Sequence, residues 1–184
     1  MATRAPVATR RARAGGYSGA ALDPVSVSIV VSAPREQVFD YLQDIANHSE
    51  FTDHFLVDWH LTRMDSAGRG AGARFHVKAP GNRFSWADVT FVEVDRPHRI
   101  VELGRTGKNN RIRTLGIYEL AEAAGGTRVT FTFRTEPATA WDRFSESFGA
   151  RSWIRRKNAR ALQRLRGILE EGVGRGPRVT VAGG

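Results

Sequence analysis

Residues 141–171 read WDRFSESFGARSWIRRKNARALQRLRGILEE. Trp141, Phe144, Phe148, Ser152, Asn158, Ala161, Leu162, Leu165, Ile168 and Leu169 fall along one stripe, while Arg156, Lys157, Arg160 and Arg164 fall largely opposite. That spacing matches the ~3.6-residue turn of an α-helix. It predicts one amphipathic helix of about eight turns, stopped by Gly172, whose missing Cβ suits a left-handed cap. A stripe of that length requires an equally long apolar surface to cover.

The preceding sequence supplies such a surface. Strand-like stretches occupy 57–64, 73–79, 84–94, 99–106, 111–121 and 127–136, separated by Gly68-Arg69-Gly70-Ala71-Gly72, Pro80-Gly81-Asn82, Asp95-Arg96-Pro97, Gly107-Lys108-Asn109-Asn110 and Gly125-Gly126. These separators are turn formers, and short connections between neighbouring strands predict an antiparallel meander. Further upstream, Val25 to Val31 alternates with period two and places Val25, Val27, Ile29 and Val31 on one face of a first strand. Pro34 and Glu36 then mark a helix start, with Ser32 or Ala33 near the cap, and Val38, Phe39, Tyr41 and Leu42 give that helix an apolar side. A second short helix or an irregular segment covers 45–55. The predicted order is strand, two short helices, six strands and one long helix, an α+β arrangement in which a seven-stranded sheet wraps the terminal helix.

Chain length fits one domain. Residues 1–22 carry Arg4, Arg10, Arg11 and Arg13, no acid and hardly a large apolar side chain, and are expected to be a disordered tail. The folded domain is expected over 23–171, with 172–184 a flexible tail. There is no cysteine, which removes disulfides, thiolate nucleophiles and cysteine zinc sites. No apolar run reaches the ~20 residues of a membrane span, and no apolar stretch follows the basic N-terminus. A cytoplasmic location is expected.

The net charge of +9 raises the question of nucleic-acid binding. Between Asp23 and Ala140, however, 14 basic residues face 15 acidic ones, and the surplus sits at the two ends. Charge placed in this way does not form a nucleic-acid footprint, and no nucleic-acid partner is expected. Trp153 with Arg155, Arg156, Lys157, Arg160 and Arg164 forms a basic helix face, either a solvated surface or a point of transient membrane-surface contact.

The residues Val30-Val31-Ser32-Ala33-Pro34-Arg35-Glu36-Gln37-Val38-Phe39-Asp40-Tyr41-Leu42, then Gly70-Ala71-Gly72-Ala73-Arg74-Phe75, then Gly125-Gly126-Thr127-Arg128-Val129-Thr130-Phe131, with the strand pair around 92–101, stand in an order and spacing that resembles the START-related lipid-transfer and polyketide-cyclase superfamily. In particular the chain is similar to bacterial proteins of the polyketide cyclase/dehydrase, or SRPBCC, type. The resemblance spans roughly 25–169. It implies the helix-grip fold, with a deep cavity between sheet and helix that takes a hydrophobic small molecule such as a lipid, isoprenoid or polyketide, and no cofactor. It implies binding and orientation more than catalysis, with polyketide aromatase or cyclase activity as the alternative; the basic helix face offers, apart from the resemblance, a third reading as a module that docks acidic partners. Where the cyclising members usually carry a tryptophan after the first helix, this chain has Asn47-His48-Ser49-Glu50-Phe51. A monomer or a homodimer is expected.

Strand parity sorts the candidate side chains. Val57, Trp59 and Leu61 share a face opposite Asp58, His60 and Thr62, and Phe75 and Val77 oppose Arg74, His76 and Lys78. His60 and His76 are therefore expected to face outward. His48, His54 and His98 fall in loops or helix ends, with no His-x-x-x-His or Glu-x-x-His spacing to focus a metal. Asp53-His54 is either a general base at a cavity mouth or a solvated pair. Phe84, Trp86, Asp88 and Thr90 share one face; turned inward, Asp88 would be a carboxyl with a raised pKa and a catalytic candidate. The opposite face, with Ala87, Val89 and Phe91, is nearly as apolar, so the choice stays open. Glu102 and Arg113 are expected as a cross-strand pair. The cavity is expected to be lined by Trp59, Phe75, Trp86, Tyr118, Phe144, Phe148 and the polar Asn158. Gly68 to Ala73 lacks the last glycine of a dinucleotide fingerprint, and Gly107-Lys108 lacks the rest of a phosphate loop.

Overall fold

The computed structural model describes residues 23–79, 86–136 and 150–179. Seven strands form one curled antiparallel sheet: β1 (Val25–Val31), β2 (Leu56–Leu61), β3 (Gly72–Val77), β4 (Trp86–Asp95), β5 (Arg99–Thr106), β6 (Ile112–Ala123) and β7 (Gly126–Glu136). Their order is β1-β7-β6-β5-β4-β3-β2. The meander thus runs from β2 across to β7, and β1 adds to its far edge, with Val25 opposite Phe133 and Val31 opposite Thr127. Between β1 and β2 lie α1 (Arg35–Leu42), a 3-10 turn at Ile45–Asn47 and α2 (His48–Thr52). The terminal helix is α3 (Ala150–Glu171), and the expected start of that helix at Trp141 lies outside the described residues.

The period-two strands and the helical stripe meet in one core. Val31, Val38, Phe39, Leu42, Ile45, Phe91, Ile100 and Leu165 are fully buried. Each buried large aliphatic or aromatic side chain contributes about 1.5–3 kcal/mol. From α3, Asn158, Ala161, Leu162, Leu165 and Ile168 face inward as the predicted stripe requires, whereas Ser152, also read onto it, is exposed. Trp153 sets its ring edge-on to Phe55 at 5.9 Å. At the C-terminus Gly172 adopts φ +68° and its N–H returns to the Ile168 carbonyl, as its reading as a helix stop requires.

The corner between β1 and α1 closes on β7. Thr127 donates its hydroxyl to the Ala33 carbonyl at 2.8 Å, and Gly126 passes so near the Val31 carbonyl that a Cβ would overlap it. Glu170 of α3 accepts the Ser32 N–H at 2.6 Å. At the other end Arg96 grips Asp40 with two hydrogen bonds of 2.9 and 2.8 Å, fixing the β4–β5 turn to α1.

Two features depart from the sequence reading. Asp58 takes φ +52°, and the β2–β3 register shifts between Val57 and His60. This bulge turns Leu56, Trp59 and Leu61 onto the core and leaves Val57 outside it, so strict alternation fails there. The second departure is the segment 172–179, expected as a flexible tail. It lies as a strap over α2: Gly176 N–H donates to the Glu50 carbonyl at 2.8 Å, and Ser49 donates to the Pro177 carbonyl at 2.7 Å. Arg164, Arg175 and Arg178 pair with Asp53, Glu50 and Asp44. Part of the basic surplus at the chain's end therefore neutralises acids of the α2 region, and Arg164 is clamped here instead of belonging to a free basic face.

Candidate functional site

The inner face of the sheet can be followed row by row through the strand register. One row runs Val94, Ile100, Tyr118, Phe131, Val27; the next runs Phe91, Glu102, Gly116, Phe133, Val25; a third runs Ala73, Val89, Gly104, Thr114, Thr135. Phe91, Ile100, Tyr118 and Phe131 are buried, whereas Glu102, Gly104, Thr114, Phe133 and Thr135 stay partly accessible. Along the rows, side chains pass from fully buried core to partly accessible positions.

Glu102 is the charged-type residue in those rows. A register pair of Phe91 on one side and Gly116 on the other leaves its side chain lying flat over the glycine; a Cβ at Gly116 would overlap the Glu102 carboxyl. In the same way Thr114 lies over Gly104. The two glycines are diagonal to each other on β5 and β6, so each gives room to the polar side chain opposite it, a carboxyl and a hydroxyl at diagonal positions of the same face. Glu102 makes no hydrogen bond to another described residue. Surrounding protein strips its carboxyl of water and pushes its pKa up to about 7, although its surface is still partly accessible. The carboxyl is thus largely desolvated without being sealed in the core.

Tyr118 adjoins this carboxyl. Its phenol is driven upward by burial first and by the Glu102 charge second, so it stays a neutral hydroxyl. Its ring stacks on Phe131 at 4.4 Å and meets His48 edge-on at 5.6 Å. His48 is the first residue of α2, a helix end as its position in the sequence implied. It is buried against Phe51 and Phe91, with Nε2 2.8 Å from the Leu42 carbonyl, and burial pulls its pKa down to about 4. As a neutral ring donating to that carbonyl it ties α2 to α1.

The remaining predicted residues divide by face. Trp59 stacks on Phe75 at 4.4 Å, and both face the interior. Asn158 is buried on the α3 stripe, and its amide makes no hydrogen bond to another described residue. Phe144 and Phe148 lie outside the described residues, as does Phe84.

Trp86, expected on the inner face, and Asp88, a candidate for it, do not point inward. The buried side chains of β4 are Ala87, Val89 and Phe91, so the other parity faces outward. Trp86 is 41% exposed and stacks on His76 at 3.6 Å, with His60 nearby at 6.2 Å. Asp88 accepts two hydrogen bonds from Arg74, at 2.6 and 3.1 Å. That partner decides between two nearly equal apolar faces, because a forked ion pair keeps its solvation on the convex side. His60 and His76 share this outer face, as expected. Glu102 and Arg113 are not a pair: Arg113 stands opposite Arg105 on the outer face while Glu102 stands opposite Gly116 on the inner one.

His54 does not present a free base either. Its Nε2 lies 3.2 Å from the Lys157 carbonyl, and its pKa is lowered by burial first and by Arg160, Lys157 and Arg164 beyond that. Its neighbour Asp53 is held by Arg164 at 2.8 Å. Among the described residues, no group of three His, Asp or Glu side chains is placed to hold a metal, and no helix is long and apolar enough to cross a membrane. Surface depressions at Ser32–Glu36 with Gly125–Thr127, and at Arg63–Ala71, lie away from the inner wall.

Glu102 was the residue that sequence reasoning missed. The signal was present: Ile100, Glu102 and Gly104 share parity, and Gly116 shares parity with Tyr118, which had been read as inward.

Known proteins match this architecture. The family model for polyketide cyclase / dehydrase and lipid transport matches residues 24–170. No curated protein matches the sequence significantly. Among solved structures, protein CV1439 from Chromobacterium violaceum superposes with a TM-score of 0.59 at 16% identity, covering 81% of this chain and 99% of that one. The ginseng major latex-like protein 151 from Panax ginseng gives 0.62 at 11% identity, covering 80% and 97%. DynU16, a protein of the dynemicin biosynthetic locus, gives 0.57 at 19% identity, covering 83% of this chain and 49% of its own. At these identities the likeness is one of fold.

Proposed function

The chain belongs to the polyketide cyclase / dehydrase and lipid transport family, and from that membership we propose that it binds and carries a hydrophobic small molecule between the curled sheet and α3. The observation that supports this most is the composition of the inner wall. Phe91, Phe133, Trp59 and Phe75 offer aromatic surface, Gly104 and Gly116 let the Thr114 and Glu102 side chains lie flat against the sheet, and the few polar groups include two without a described partner, Glu102 and Asn158. An apolar site with sparse, placed polar groups is the usual form of a small-molecule pocket.

The test is native mass spectrometry of protein purified without detergent, followed by denaturing extraction and identification of what is released. Retention of a lipophilic compound is expected. Protein that carries nothing, and that binds no hydrophobic fluorescent probe, would contradict the reading.

Glu102 also favours a second reading, turnover of a polyketide-like chain. A carboxyl that titrates near neutrality can both take and return a proton. Incubation with a thioester-linked poly-β-keto mimic would show cyclised product with the native protein and none with Glu102→Gln. Unchanged substrate in both would dismiss this reading and leave carriage standing.

A further inference from the structure

Glu102 is the group whose placement the fold does not otherwise explain. It bonds to nothing described, yet a glycine on the neighbouring strand is reserved for its carboxyl, and a second glycine one diagonal step away is reserved for the Thr114 side chain. Its side chain is only partly covered, so the carboxyl is open to a partner that the described protein does not itself supply. We propose, building on the reading as a hydrophobic-ligand binder, that Glu102 and Thr114 form the recognition point for one uncharged oxygen, a carbonyl or hydroxyl, on an otherwise apolar ligand.

The surroundings select an uncharged oxygen over an ion. The groups facing Glu102 are Phe91 and Val89 from β4, Gly116, Thr114 and Tyr118 from β6, and Phe133 and Thr135 from β7. The inward residues of α3, Asn158, Ala161, Leu162, Leu165 and Ile168, carry no titratable side chain, and His48 beyond Tyr118 stays neutral. Among the described residues facing it, no cation is present to hold Glu102 ionised or to receive a ligand carboxylate. An ammonium would bring three donors to a wall with few acceptors. A protonated carboxyl instead offers one strong O–H donor, and its complement is an oxygen acceptor. Burial favours that protonated form.

The test uses 6-propionyl-2-(dimethylamino)naphthalene, whose emission moves to the red when its ketone accepts a hydrogen bond, and its 6-propyl analogue, which lacks the oxygen. At pH 6 the ketone is expected to bind about tenfold more tightly than the analogue, the worth of one good hydrogen bond. Binding that requires the protonated carboxyl weakens about tenfold per pH unit once pH exceeds the group's pKa, so the ketone's advantage should vanish toward pH 8–9 while the analogue's affinity stays level. Glu102→Gln keeps a donor and should keep the ketone's advantage at every pH. Glu102→Leu should remove it, and Thr114→Val should diminish it; urea unfolding of each variant separates these losses from misfolding. Equal affinity for the two probes, a ketone affinity that is level or rises from pH 6 to 9, or a Leu variant that still prefers the ketone would each overturn the inference while leaving hydrophobic binding intact. If neither probe binds, hydrophobic binding and the inference fall together.

Discussion

Replacing Glu102 by Gln makes a prediction about stability that needs no ligand. In the unfolded chain this carboxyl titrates near its ordinary 4.5, and in the folded protein burial pushes it up to about 7. Between those values the folded state holds a proton that the unfolded state has lost. Stability therefore falls as pH rises from about 4.5 to about 7 and is level on either side of that window. Each pH unit of separation corresponds to ~1.4 kcal/mol, which gives about 3 kcal/mol across the window. Residual solvent contact at the cavity wall reduces this to about 2 kcal/mol. Urea unfolding of both proteins from pH 4 to 8.5 isolates the term, because every other titrating group cancels in the difference. The native protein should lose about 2–3 kcal/mol relative to Glu102→Gln between pH 4.5 and 7, and the glutamine variant should be the more stable relative to its own acid limit. Curves that run parallel, or a difference of opposite slope, would refute the burial of this carboxyl and with it the description of the inner wall.

Gly116→Ala places a methyl group against the Glu102 carboxyl; a loss of roughly 1–3 kcal/mol is expected, together with a shift in the carboxyl's titration followed by 13C NMR. Leu165→Ala empties a fully buried position on α3 and should cost about 2–5 kcal/mol in denaturant unfolding. Asp88→Asn breaks a solvent-facing pair with Arg74 and should cost no more than ~1 kcal/mol, with the affinity of the ketone probe unchanged in a fluorescence titration.

The sequence made the architecture legible because each element is periodic by itself. The alternation of β1, the turn residues of the meander and the helical stripe ending at Gly172 all follow from local spacing, and the resemblance at 30–42, 70–75 and 125–131 agreed with them. Faces were harder to read. On β4 both parities are apolar, and the deciding contact, Arg74 with Asp88, lies across a strand pair that only the fold brings together. On β2 one bulge at Asp58 moved Leu56 inward in place of Val57. Glu102 read as an ordinary outward glutamate because a charged residue on a strand is normally solvated; its seat is a glycine 14 residues away on the neighbouring strand. The strap at 172–179 had no local signal at all. Its glycines and its one proline suggest looseness, whereas its contacts are with the Glu50 carbonyl and the Ser49 hydroxyl of α2, which are remote in sequence.

The most direct test of a ligand site on the inner wall is a set of intermolecular NOEs between the bound ketone probe and 13C-labelled protein. Contacts to Phe91, Thr114, Tyr118 and Phe133 are expected, with the propionyl end nearest Thr114. Contacts confined to Trp86, His60 and His76 would put the probe on the convex face and contradict the assignment.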